Sequence, residues 1–140
     1  MLDERLLETK LGRLLARVER ARTKLPASRE EFESSADAQE IVSFNLLLAM
    51  QEALDLAAHW IADAGWEVPT TAREHFEILA AHGVVQRDLA RDLASCAGAR
   101  NLIAHAYGTL DFGRLYVEAP TALQTLERFA AALARRGAGS

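Results

Sequence analysis

From Ala27 to Ala64 the chain has neither a proline nor a glycine, and its apolar residues recur at helical spacing. After a Ser- and Glu-rich start, that leaves room for one long helix reaching to about Ala64. Val42, Leu46, Ala49, Ala53, Leu56 and Trp60 make one stripe, and Leu47, Leu54, Ala58 and Ile61 make a second. A surface helix carries a single stripe. This one therefore packs on neighbours from two sides, or gives one side to a second subunit. Ser34, Ser35 or Asp37 stands where an N-cap belongs, and Gly65 stops the helix after Ala64.

The remaining punctuation yields more helices. Leu7, Leu11, Leu14, Val18, Ala21 and Leu25 are spaced 4, 3, 4, 3 and 4, which predicts a first helix from about Leu2 to Leu25, stopped by Pro26. Residues 27–35, rich in Ser and Glu, read as a linker. Thr71 and Glu74 have capping-box spacing for a short third helix that runs to His82 and stops at Gly83. A fourth spans about Val84 to Tyr107, with Leu89, Leu93 and Cys96 inward, and Gly108 closes it. A fifth begins near Asp111, kinks at Pro120 and ends near Arg135. Residues 137–140 read as a disordered tail after a single domain over 1–136. Ala (27 residues) and Leu (21) make up about a third of the chain, while Val, Ile and Thr are sparse, which disfavours a sheet. The expected fold is all-α: an antiparallel four-helix bundle with an additional short helix.

Composition narrows the function. Lys and Arg total 16 against 20 Asp and Glu, a net charge of −4, which argues against a DNA coat or a polybasic membrane binder. The lone Cys96 excludes an intrachain disulfide and a Cys-rich zinc site. The start, MLDERLLETK, lacks the apolar region of a signal peptide, and no purely apolar run nears the ~20 residues of a membrane span. The expectation is a soluble, cytoplasmic domain with no membrane partner.

One segment carries chemistry. Arg100, Asn101, His105 and Tyr107 crowd into eight residues at the end of the fourth helix. Asn101 and His105 share a face, as do Arg100 and Tyr107, but Arg100 and His105 diverge by ~140° on a regular helix. Either the last turn unwinds, or a site is completed across a symmetric interface. Ala97, Gly98 and Ala99 just upstream would let another helix come close. Arginine's planar fork suits phosphate oxygens, and histidine both accepts and donates a proton near neutral pH. Together they suit phosphodiester cleavage without a metal, with the RNA 2′-hydroxyl as nucleophile. The same residues could instead simply satisfy terminal carbonyls.

Arg100-Asn101-x-x-x-His105-x-Tyr107 resembles the Arg-x4-His-x-Tyr signature of the HepT-like toxins of the HEPN ribonuclease superfamily. Residues 51–60, with Asp55 and His59, resemble that family's second-helix pattern, and residues 69–83 its short third helix and turn. Small Ala99 before the arginine is a departure that touches packing. The resemblance implies a HEPN-like bundle, a homodimer whose facing motif helices form an RNA-cleaving cleft, no cofactor and no metal. Arg100 and His105 would be catalytic, with Asn101 in support. A cognate MntA-like nucleotidyltransferase antitoxin would adenylylate Tyr107. The RNA, tRNA or mRNA, is not specified.

Other residues offer weaker signals. Glu52, Asp55 and His59 share one face of the second helix; a metal site and a polar patch beside the cleft both fit, and the resemblance implies a supporting role without metal. Lys10, Arg13, Arg17, Arg20 and Lys24, spaced 3, 4, 3 and 4, make either a solvated face or a track for RNA or an acidic partner. Trp60 and Trp66 read as core or interface anchors. The rival function is a non-catalytic helical binding subunit of a nucleotidyltransferase, which the negative charge favours.

Overall fold

A computed structural model describes residues 3–138, with side chains to residue 137. Six α-helices follow one another: α1 (Glu4–Lys24), α2 (Arg29–Ser34), α3 (Ala36–Ala64), α4 (Ala72–Ala81), α5 (Arg87–Ala106) and α6 (Phe112–Ala138), with a 3-10 turn at Tyr107–Thr109 between the last two. The four long helices form an antiparallel bundle. Lys10 meets Asp55 and Arg17 meets Asn45, which sets α1 against α3 in opposite directions. Arg22 forks onto Glu127 at 2.8 and 2.7 Å, tying the end of α1 to α6.

The caps explain the boundaries. Asp3 accepts from the N–H groups of Arg5 and Leu6. Thr71 accepts from the Glu74 N–H, and the Glu74 carboxylate reaches back to the Thr70 N–H and hydroxyl, a capping box closed one residue early. Those two donors hold the Glu74 carboxyl below its ordinary range. Gly65 and Gly83 take positive φ of 75° and 76°, the left-handed stops that a residue with a Cβ adopts at a cost.

The linker expected over residues 27–35 is instead mostly helix. Ser28 caps α2 by accepting from the Glu31 N–H, and Phe32 is fully buried. Ser35 closes α2 and caps α3 at once, while the Gln39 amide donates to the Phe32 and Glu33 carbonyls at 2.9 and 3.0 Å. Six residues are too few for a helix to stand alone; packing sustains this one. Phe32 meets Phe112 and Tyr116 with ring centroids 6.1 and 5.7 Å apart, and the Tyr116 hydroxyl donates to the Pro26 carbonyl.

The bundle core comes from every helix: Leu14 and Val18, Phe32, Met50 and Leu56, Phe76 and Leu79, Leu93, and Leu123, Leu126, Phe129 and Leu133. Each full burial of this kind stabilises by about 1.5–3 kcal/mol. α3 contacts the five other helices, which accounts for its fully buried stripe, while Leu47, Leu54 and Ala58 of the second stay half-buried. It is also long and apolar enough to cross a membrane, but half of its most apolar window is buried inside the bundle. Trp60 is core, while Trp66 stacks on His82 at 3.7 Å beside the α3–α4 turn. α6 runs through Pro120 and on to Ala138, so two residues of the expected tail are helical. A Cβ added at Gly137 would stand 2.6 Å from Leu7, which shows how closely α6 ends against α1. Leu2 and the rest of the tail, residues 139 and 140, lie outside the described residues.

Candidate functional site

α5 ends at Ala106 and still holds His105, so the last turn does not unwind at His105. Ala106 then leaves helical geometry (φ −138°, ψ 33°) and Tyr107 opens the 3-10 turn. Arg100 and His105 therefore keep the divergence of ~140° that a regular helix imposes. Asn101 and His105 are exposed on one face. Arg100 is half-buried, and its Nε is buried with no hydrogen-bond partner. No hydrogen bond joins the four motif side chains among the described residues.

Tyr107 turns back toward the bundle. Its ring meets Phe112 edge-on at 5.6 Å, and its phenol faces Glu40 and Ser43 on α3. Burial and the Glu40 carboxylate push the hydroxyl above its ordinary value. Ser43 is itself buried, and its hydroxyl makes no geometrically sound hydrogen bond. The apolar spacing of residues 42–61 concealed Glu40 and Ser43 as neighbours of Tyr107. A serine set into an apolar helical run was the available signal.

Around the motif the surface is apolar and open. A groove of about 860 Å³ between α5 and α6 is lined by Leu102, Ile103, Ala106, Leu110 and Val117 among others, and Leu102 is 59% exposed. A Cβ at Gly98 would meet nothing within 4 Å, so its smallness serves no neighbour in this chain. Cys96 lies at the groove's floor, where burial first and Asp92 second push its thiol up to about 11.

The other predicted residues lie elsewhere. Asp55 pairs with Lys10, a side chain only 10% exposed, and stands 3.6 Å from the His59 ring, ion-pair range rather than a hydrogen bond. With Glu52 they occupy the flank of α3 turned toward α1, and the structure does not bring them to the motif. Among the described residues no three His, Cys, Asp or Glu converge as metal ligands. The basic run also divides. Lys10 is committed to Asp55, Lys24 stands exposed at the end of α1, and Arg13, Arg17 and Arg20 line a groove against α3; Arg22, off that spacing, is held by Glu127.

Comparison with known proteins gives the family and the fold. The profile of the family described as "Ribonuclease HepT-like" matches residues 14–133, most of the chain. The protein belongs to the HepT-like ribonuclease family. A HepT-like fold also recurs among solved structures. The tri-AMPylated HEPN toxin of Shewanella oneidensis in complex with MNT antitoxin superposes with a TM-score of 0.85 at 21% identity, covering 96% of this chain and 99% of that one. The Bacillus subtilis cytosolic protein of unknown function YutE superposes with a TM-score of 0.82 at 17% identity, covering 96% and 90%. At these identities the likeness is one of fold. An Archaeoglobus fulgidus protein named "Putative RNase" is 33% identical over 70 residues, so the match spans about half of each chain, 50% of this one and 52% of that one.

Proposed function

We propose that this HepT-like chain is the toxin of a toxin–antitoxin pair and cleaves RNA without a metal. The observation that carries the reading is the Arg100-Asn101-x3-His105-x-Tyr107 set at an open helix end, in a chain of this family. The chemistry follows from the residue types. His105 accepts the proton of a ribose 2′-hydroxyl, whose oxygen attacks the adjacent phosphorus. The 5′-oxygen leaves and takes a proton from an imidazolium, giving a 2′,3′-cyclic phosphate and a 5′-hydroxyl. Arg100 stabilises the charge gathering on the phosphoryl oxygens, and Asn101 orients the imidazole from the same face.

A regular α5 does not aim Arg100 and His105 of one chain at a single phosphorus. The reading therefore includes a homodimer in which a second motif helix completes the cleft. Leu102, the open edge at Gly98 and the half-buried Leu47, Leu54 and Ala58 supply an apolar face for it. The partner that silences the toxin is an MntA-like nucleotidyltransferase, and the site of silencing is Tyr107. Its hydroxyl, held neutral by burial and Glu40, attacks the α-phosphorus of ATP, pyrophosphate leaves, and the phenolic proton passes to the transferase's base. Support comes from the fold-level neighbour, an AMPylated toxin bound to its antitoxin. ATP and RNA place this activity in the cytoplasm.

The test is cleavage of a labelled RNA by the purified chain with and without EDTA. Cleavage should survive chelation, and His105→Ala should lower its rate by ~10²–10⁴. A His105→Ala protein as active as the parent, or activity lost to EDTA, overturns the assignment.

A further inference from the structure

The geometry points to a second RNA contact outside the motif: the groove between α1 and α3 holds a single-stranded RNA segment and leads it over Phe44 toward Tyr107. The inference rests on the ribonuclease reading for the nature of the strand.

The groove encloses about 980 Å³. Arg13, Arg17 and Arg20 line one wall, spaced 4 and 3 apart, so they cover about 10 Å along α1. Arg13 and Arg20 have no carboxylate partner among the described residues, unlike Arg22, which Glu127 engages. Arg17 is aimed. Its guanidinium donates to Asn45 Oδ1 at 3.3 Å, and the Asn45 amide donates to the Ile41 carbonyl at 2.8 Å. Asn45 is only 4% exposed, so this polar device is built into the wall.

The opposite wall carries Phe44, 55% exposed beside these arginines. A large aromatic held open among guanidinium groups is the pattern that stacks bases while cations track phosphates. Glu40 and Glu52 also line the groove, 12 residues or about 18 Å apart on α3. They leave a net charge of only +1 among the lining side chains, so the site selects a strand with exposed bases over a bare polyanion.

Phe44 also connects this groove to the motif. On α3 it lies between Ser43, the Tyr107 neighbour, and Asn45, the Arg17 neighbour, each about 100° away around the helix. A strand running along the arginines would cross Phe44 to reach Tyr107 and the end of α5.

Fluorescence anisotropy with a 12-nucleotide single-stranded 2′-O-methyl RNA, which resists 2′-hydroxyl attack, measures binding apart from cleavage. Three phosphate contacts predict a slope of log affinity on log salt of about −2, a loss of about 20-fold between 50 and 200 mM salt. Replacing Arg13, Arg17 and Arg20 together by Ala should weaken binding at least tenfold and bring the slope near zero. Replacing the exposed Arg73, Arg87 and Arg91 by Ala, an equal change of charge, should cost less than threefold. Phe44→Ala should cost at least fivefold while leaving the slope alone, because stacking releases no counterions. No binding by the parent chain, or groove variants that bind as the parent does, overturns the inference. So does a groove variant that keeps RNA but loses the nucleotidyltransferase, which would make the groove a protein contact. Parent protein that binds through the groove yet cuts no unmodified RNA removes the ribonuclease reading and leaves the groove. Groove variants that cut as fast as the parent and bind unchanged do the reverse.

Discussion

Phe32→Ala should be among the most damaging single changes in this protein, although it sits in the segment whose sequence reads least like structure. The ring is fully buried, and it touches Phe112 and Tyr116. Truncating a buried phenylalanine costs about 3–5 kcal/mol. An unfolding entropy of about 2.1 cal/mol/K per residue gives the whole chain about 0.3 kcal/mol/K. The loss therefore lowers Tm by about 10–17 °C. Phe32→Leu keeps most of the apolar volume but gives up two ring contacts, one edge-on and one tilted, worth about 0.5–1.5 kcal/mol each, so its Tm should fall by about 3–10 °C. Thermal melts followed by CD at 222 nm, with urea titrations to check a constant m-value, measure both. Because Phe112 bridges Phe32 to Tyr107, the alanine variant should also be a poorer adenylylation substrate below its melting point. A drop under about 4 °C for Phe32→Ala would mean that α2 is a surface flap, and the account of how it is sustained would fail.

Other outcomes are expected. Tyr107→Phe should fold and stay toxic yet escape the co-expressed nucleotidyltransferase, read by growth and by mass spectrometry of the peptide containing residue 107. Asp55→Ala should cost about 1–3 kcal/mol, because it strands the buried Lys10 ammonium, and Lys10→Met added to it should recover most of that loss in urea melts. Cys96, its thiol pushed up to about 11, should resist iodoacetamide at pH 8 in the folded protein and react on unfolding; rapid native labelling would contradict its burial. Glu127 is held below its ordinary value by Arg22, so the pair's contribution is present above the unfolded carboxyl range and is lost as pH falls through the folded one. Both side chains are about 40% exposed, and Glu127→Gln should cost under ~1 kcal/mol at pH 7 and nothing at pH 2.

The sequence announced what is local and periodic. The stripe at Leu7, Leu14 and Val18, the stops at Gly65 and Gly83 and the cap at Thr71 are decided within a few residues, and they stand as read. α2 escaped because its six residues have no period to detect, though Ser28, Glu31 and Phe32 carried a cap and an anchor. The motif was legible as residue types at fixed spacing. What surrounds it was not, because Tyr107 finds Glu40 and Ser43 more than sixty positions upstream. The basic run was legible only in part for a related reason: spacing shows which lysines and arginines share a face, but not which has a carboxylate waiting on another helix. Lys10 does.

The central position of α3 has a consequence for the chain as it leaves the ribosome. This helix is complete at Ala64 and lies most extensively on α1, but the helices that close its remaining sides, α4, α5 and α6, end only at Ala81, Ala106 and Ala138. At about 5–20 residues per second, the 74 residues from Ala64 to Ala138 take ~4–15 s to make. At the start of that interval the most apolar helix of the protein has only α1 and α2 to lie against, and α4, α5 and α6 join it one after another. Nascent α3 is thus the segment on which hydrophobic capture by a chaperone, or by another emerging copy, competes with folding. The bundle closes only when α6, the last strip of its wall, comes home along α1.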